Sequence, residues 1–207
     1  MTYLFHITNI DNLESIIRAD GLYSKNRVSS LGLSYTSIAN ENIQEQRTTL
    51  TIPFNPGGCL HDYVPFFFCI RPPMLYLIKQ GGVETYSGNQ EEIIYLVTAI
   101  ELIVKHSLQF VFTDGHAIMK ITQFYDSLDE LNKIDWKLIR AKYWADTTDD
   151  PDRKRRRQAE FLLYEHLPWC LIKGLVVFNE RMLGTVNEIL KGHKHVPKVY
   201  VKQGWYY

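Results

Sequence analysis

The chain has 207 residues, enough for one substantial core, and contains no Pro-, Gly- or Ser-rich stretch that would serve as a linker. Lys plus Arg and Asp plus Glu both number 23, so no global positive field draws the protein to a polyanion, and any nucleic-acid contact has to come from local clustering. Cys59, Cys69 and Cys170 are odd in number and widely spaced, which fits a reducing cytoplasm better than a disulfide framework or a zinc site. The opening MTYLFHIT lacks a basic region followed by a long apolar run, and no segment is apolar for long enough to span a bilayer, so we expect a cytoplasmic protein without a membrane partner.

In chain order, Tyr3 to Thr8 reads as a strand, and Asn9 to Arg18 as a helix with Ile10, Leu13, Ile16 and Ile17 at helical spacing, ended by Gly21. Val28 to Thr36 reads as loop, and Ile38 to Arg47 as a short polar helix that stops before Pro53. Pro56, Gly57 and Gly58 mark a turn ahead of the apolar segment Tyr63 to Ile70, and Pro72-Pro73 opens a helix over Met74 to Lys79. Ile93 to Ile100 has the composition of a central strand, and Gln109 to Thr113 that of a second, before an Asp114-Gly115 turn. Leu128 to Trp144 carries apolar residues at roughly helical intervals. Leu171 to Phe178 reads as a buried strand, Arg181 to Lys191 as a helix, and Lys198 to Lys202 alternates as a half-exposed strand does. The sum is an α+β fold, one domain over residues 1–207 built around a mixed or antiparallel sheet.

Several residues could carry chemistry. His6 stands where an early strand gives way to a helix; a lone histidine there is more often a satisfied core residue, and it is the position beside Ile7 and Thr8 that raises the reading of a ligand contact. Arg156 and Glu160 have the spacing of a surface ion pair on a helix. Yet Glu160 also opens the apolar run Phe161 to Tyr164, where a carboxylate is costly unless a cation or a ligand meets it. Arg47 has the surroundings of a solvent-facing arginine, and the aromatics of Tyr63 to Phe68 those of core packing. Eight acids between residues 126 and 152 are followed without a break by Arg153, Lys154, Arg155, Arg156 and Arg157. With Tyr143 and Trp144 just upstream, that run has the ingredients of a wall for DNA phosphates and bases. No P-loop, GxGxxG, HExxH, GxSxG or zinc-deaminase motif is present.

Taken together, FHIT at 5–8, Asn12-Leu13, Gly21-Leu22, Ile43 to Arg47, Gly57-Gly58, HDYVPFFF at 61–68, RPPMLY at 71–76, VFTDGHA at 111–117 and RRRQAEF at 155–161 resemble the DarT family of DNA ADP-ribosyltransferase toxins. The match runs in order over nearly the whole chain, with Phe5 in place of the family's Tyr and Pro72 in place of its frequent Ser. The resemblance implies an ADP-ribosyltransferase-like fold, NAD as co-substrate with no metal, single-stranded DNA as acceptor at thymine or guanine, and a macrodomain antitoxin as partner. It further implies Glu160 and Arg47 as catalytic residues, and His6, Ile7, Thr8, Tyr23 and Arg47 as NAD contacts. Two rivals stay open: a transferase that modifies RNA or protein, and a nucleic-acid-binding module without catalysis.

Overall fold

The computed structural model describes residues 1–207. Ten strands form: β1 Tyr3–Asn9, β2 Gly21–Tyr23, β3 Tyr63–Phe67, β4 Ile93–Ala99, β5 Phe110–Thr113, β6 Phe124–Tyr125, β7 Glu160–Tyr164, β8 His166–Pro168, β9 Gly174–Val177 and β10 Lys198–Val201. Eight α-helices accompany them: α1 Leu13–Arg18, α2 Lys25–Ser30, α3 Glu41–Thr49, α4 Pro73–Lys79, α5 Ile100–Lys105, α6 Trp136–Ile139, α7 Arg153–Arg157 and α8 Glu180–Leu190. The strands β10-β9-β4-β1-β3-β7-β5-β6 make one eight-stranded sheet, antiparallel except where β10 runs parallel to β9, and β2 pairs with β8 in a small separate ribbon.

Alternation along the strands sorts the core onto two faces. On β1, Leu4 packs with Leu13 and Ile17 of α1 and Val186 of α8, whereas Phe5 and Ile7 face the other way, onto Leu75 and Ile78 of α4. All seven residues of β4 are buried, as its unbroken apolar run requires of a central strand covered on both faces. A third, smaller cluster of Ile52, Leu60, Tyr63, Val111 and Leu162 lies toward the β5 side. The register Phe5↔Phe67↔Glu160 aligns the start of β7 with the face that carries Phe5. Gly21 sits at φ 143° with the Leu167 carbonyl oxygen lying where a Cβ would stand, so only glycine fits there.

Four expectations shift. The 128–144 helix breaks into a 3-10 turn at Leu128–Lys133 and the single turn of α6, because the Asp135 side chain accepts from Leu138 N at 2.9 Å and starts a helix of its own. That helix ends at once: the Arg157 guanidinium takes the carbonyls of Leu138, Ile139 and Ala141. Part of the segment read as loop is α2, capped by Ser24, and the polar helix read from Ile38 starts later because Asn40 caps it. The strand read from Leu171 begins at Gly174, after a 3-10 turn over Trp169–Leu171.

Candidate active site

β1 and β3 are paired only at Phe5↔Phe67, so the edge of β1 beyond Phe5 has no partner strand. His6 reaches across this split to the Pro65 carbonyl, with Nδ1 2.9 Å from the oxygen. A carbonyl only accepts, so Nδ1 carries the proton and Nε2 is left as a free acceptor. Burial pushes the His6 imidazole below its ordinary pKa, more than the Pro65 hydrogen bond raises it, so the ring stays neutral. Thr8 accepts a hydrogen bond from Asn12 Nδ2 at 2.9 Å, and Asn12 also exchanges hydrogen bonds with both main-chain groups of Thr36. That clamp ties the loop before α3 to the end of β1. Tyr23 ends β2 with its ring stacked on His166 at 4.1 Å.

Glu160 begins β7 and is 3% exposed. Its Oε2 accepts from Arg47 Nη1 at 2.8 Å and its Oε1 from the Ala117 amide at 3.1 Å. The Glu160 amide in turn donates to Thr113 Oγ1 at 3.0 Å, which fixes the main chain under the carboxylate. Burial alone would raise this carboxyl; the Arg47 guanidinium, His116 and the Ala117 amide outweigh it and hold the pKa below the usual glutamate value. Arg47, in the last turn of α3, is itself 6% exposed, and its Nη2 has no hydrogen-bond partner. A buried guanidinium nitrogen without an acceptor is costly, and that cost is relieved when a ligand supplies one. Glu160 likewise keeps lone pairs that Arg47 and Ala117 do not use.

Glu160 therefore pairs across 113 residues with Arg47, and not with Arg156 as the sequence spacing had it. His116 lies close enough for Glu160 and Arg47 to act on its titration, which burial pulls below the ordinary imidazole value. It stands inside the VFTDGHA stretch, the only sequence signal that could have singled it out. No group of three or more His, Cys, Asp or Glu residues has the arrangement of a metal site.

The basic run departs from its sequence reading. Arg157 is 2% exposed and spends its guanidinium on carbonyls of residues 138, 139, 141, 70 and 71, so it cannot also face DNA phosphates. Arg155 is held between Asp152 and Asp114, and Arg156 between Asp135 and Asp150. Arg153 donates to the carbonyls of Tyr143 and Ala145. Within the run only Lys154 is exposed, and upstream of it Tyr143 is 76% exposed. Trp144 is half-buried, donating Nε1–H to the Tyr207 hydroxyl at 2.8 Å. The run chiefly anchors the acidic loop.

The family model for DarT, the ssDNA thymidine ADP-ribosyltransferase, matches residues 5–207. The chain belongs to the DarT family. A DNA ADP-ribosyl transferase of Thermus sp. (strain 2.9) is 43% identical over 208 residues, covering 100% of this chain and 96% of that protein. Thermus sp. 2.9 DarT solved in complex with ADP-ribosylated ssDNA superposes with a TM-score of 0.93 at 42% identity, over 100% of this chain and 96% of that one. The same Thermus DarT in complex with NAD+ gives a TM-score of 0.88 at 40% identity, over 100% of this chain and 98% of that one. Membership in the DarT family fixes the ADP-ribosyltransferase fold. No helix is long and apolar enough to cross a membrane.

Proposed function

We propose that the protein transfers the ADP-ribose of NAD to thymine in single-stranded DNA and releases nicotinamide, with Glu160 and Arg47 at the reacting end. The observation that carries this reading is the buried Arg47–Glu160 pair, which retains an unpartnered guanidinium nitrogen and free carboxylate lone pairs. His6, Ile7, Thr8 and Tyr23 are the contacts for the rest of NAD: the free Nε2 of His6 and the unpaired edge of β1 supply the polar groups.

The chemistry follows from where charge develops. As the bond between nicotinamide and ribose C1′ breaks, its electron pair leaves with nicotinamide and the ribose becomes oxocarbenium-like. Glu160, held ionised by Arg47, accepts from a ribose hydroxyl and faces that charge as it forms. Thymine N3 then bonds to C1′ and its proton passes to solvent. Arginine does not deprotonate in proteins, so Arg47 acts through its charge, offering Nη2 to the base as negative charge builds there. On the DNA side, Tyr143 and Lys154 have surface to give, Tyr143 as a stacking face and Lys154 as a phosphate contact. Trp144, anchored on the Tyr207 hydroxyl, completes that face, while Arg153, Arg155 and Arg156 act by holding the loop that carries it.

The partner in this reading is a macrodomain antitoxin that removes the modification, and the cytoplasm, where the DNA lies, is the place of action. The test is direct: the protein is incubated with NAD and, separately, single-stranded DNA, duplex DNA, RNA and a protein mixture. Nicotinamide release with labelling of single-stranded, thymine-containing DNA supports the proposal. Labelling of RNA or protein alone, or no nicotinamide release with any acceptor, refutes it.

A further inference from the structure

The VFTDGHA stretch buries one hydroxyl completely, that of Thr113 at the end of β5. β5 and β7 run antiparallel with Phe110↔Leu163, Val111↔Leu162 and Phe112↔Phe161 opposed, a register that sets Thr113 opposite Glu160. The main-chain ladder stops one step short of that pair, and the Thr113 main chain turns to Phe124 of β6 instead. A side chain takes the ladder's place: Thr113 Oγ1 accepts from the Glu160 amide at 3.0 Å. The proton of the hydroxyl goes to the Gly115 carbonyl at 2.7 Å, the Glu160 carbonyl lying farther off at 3.5 Å. That second bond closes the turn after β5, and two residues on, the turn delivers the Ala117 amide to Glu160 Oε1 at 3.1 Å. The turn's other tie, from the His116 amide to the Arg155 carbonyl, holds it to α7 and not to the carboxylate.

A carboxylate gripped at one oxygen pivots about that contact; gripped at both, it keeps its remaining lone pairs in one direction. Arg47 holds Oε2 and Ala117 holds Oε1, and the Thr113 hydroxyl ties the main chain beneath the carboxylate and the turn above it to a single point. We propose that Thr113 is a positioning residue for the transfer reaction, fixing through these two bonds the direction in which Glu160 meets the ribose. The assignment rests on the role of Glu160 given above. With no exposed surface, Thr113 acts only through its neighbours. Because the carboxylate is needed most as positive charge appears on the ribose, a loss of aim falls on turnover more than on affinity.

Steady-state transfer to single-stranded DNA, calorimetric titration of ADP-ribose and melting curves on the wild-type protein, Thr113→Val, Thr113→Ser and Glu160→Gln test this. Thr113→Val keeps the shape of the side chain and removes the hydroxyl; per folded molecule its kcat is expected to fall between about tenfold and a hundredfold, while KM for NAD and affinity for ADP-ribose stay within about threefold. Thr113→Ser restores the hydroxyl and is expected to keep kcat within about threefold of wild type. Where Thr113→Val does not fold, Thr113→Ala takes its place, since it leaves room for water at the Glu160 amide and the Gly115 carbonyl, and the same loss confined to kcat is expected. Wild-type kcat in the folded fraction of the variant lacking the hydroxyl, equal losses in kcat and in ADP-ribose affinity, or a Thr113→Ser protein as slow as Thr113→Val overturns the assignment and leaves the role of Glu160 intact. Full transfer by Glu160→Gln, or none by the wild-type protein, overturns both.

Discussion

Two regions of this molecule bring arginines and carboxylates together, and they differ in what is left over. In the 135–157 segment the groups close on one another: Arg155 meets Asp114 and Asp152, Arg156 meets Asp135 and Asp150, and the loop between is pinned down. At Arg47 and Glu160 one strong contact forms in a dry setting and further hydrogen-bonding capacity stays unused. The first arrangement spends its charge on architecture. The second keeps some for a ligand, and its buried carboxylate stays ionised because the Arg47 guanidinium faces it.

Replacing Glu160 by Gln draws the contrast most sharply. It preserves the size of the side chain and an oxygen for the Ala117 amide, and is expected to cut transfer by about a thousandfold while ADP-ribose still binds, measured by single-turnover kinetics and calorimetry. Arg47→Ala comes next. It strands a buried carboxylate, so denaturant titration should show a loss of about 3 kcal/mol together with loss of transfer. Arg157→Met is the counterpart in the closed region: a stability loss of about 2 kcal/mol is expected, from carbonyls left without their donor, with kcat kept in whatever fraction remains folded. Equal effects of Arg157→Met on kcat and on stability would erase the distinction between the two regions. Smaller again, Tyr143→Ala should weaken binding of single-stranded DNA by about tenfold, and Lys154→Ala should lower the salt slope by about 0.7, both read by anisotropy at several salt concentrations.

Acidity probes the same corner. His6, His61 and His116 are all held below the ordinary imidazole value of 6.5, His61 at about 4, chiefly by burial. The unfolded chain therefore takes up protons that the folded one refuses, and stability falls as pH drops from about 6.5 toward 4. Glu160, whose pKa is depressed, adds stability that is complete above the ordinary glutamate value of 4.5 and disappears as pH falls through its lower folded value. Melting temperature against pH should thus begin to drop near pH 6.5, and His61→Gln should flatten the upper part of that drop.

The fold was legible where pattern is strong. The seven apolar residues of β4, the alternation in β10 and the helical spacing of α8 each declare their element within a residue or two. Helix 128–144 was not, because Asp135 restarts it from within and its early end comes from Arg157, a residue distant in sequence that captures its carbonyls. The same limit governed the site. Glu160 and Arg47 were found through resemblance, but their pairing across the fold has no signature in local spacing, and the nearer Arg156 offered a false partner. Consecutive basic residues look like a phosphate wall until the carboxylates that fold back on them are placed.

The most direct test is a crystal structure of the Glu160→Gln protein with NAD bound. The nicotinamide ribose is predicted to lie within hydrogen-bonding distance, about 3 Å, of residue 160, with Arg47 beside it. Density for NAD in any other part of the molecule, with the Arg47 corner left to itself, would contradict the account.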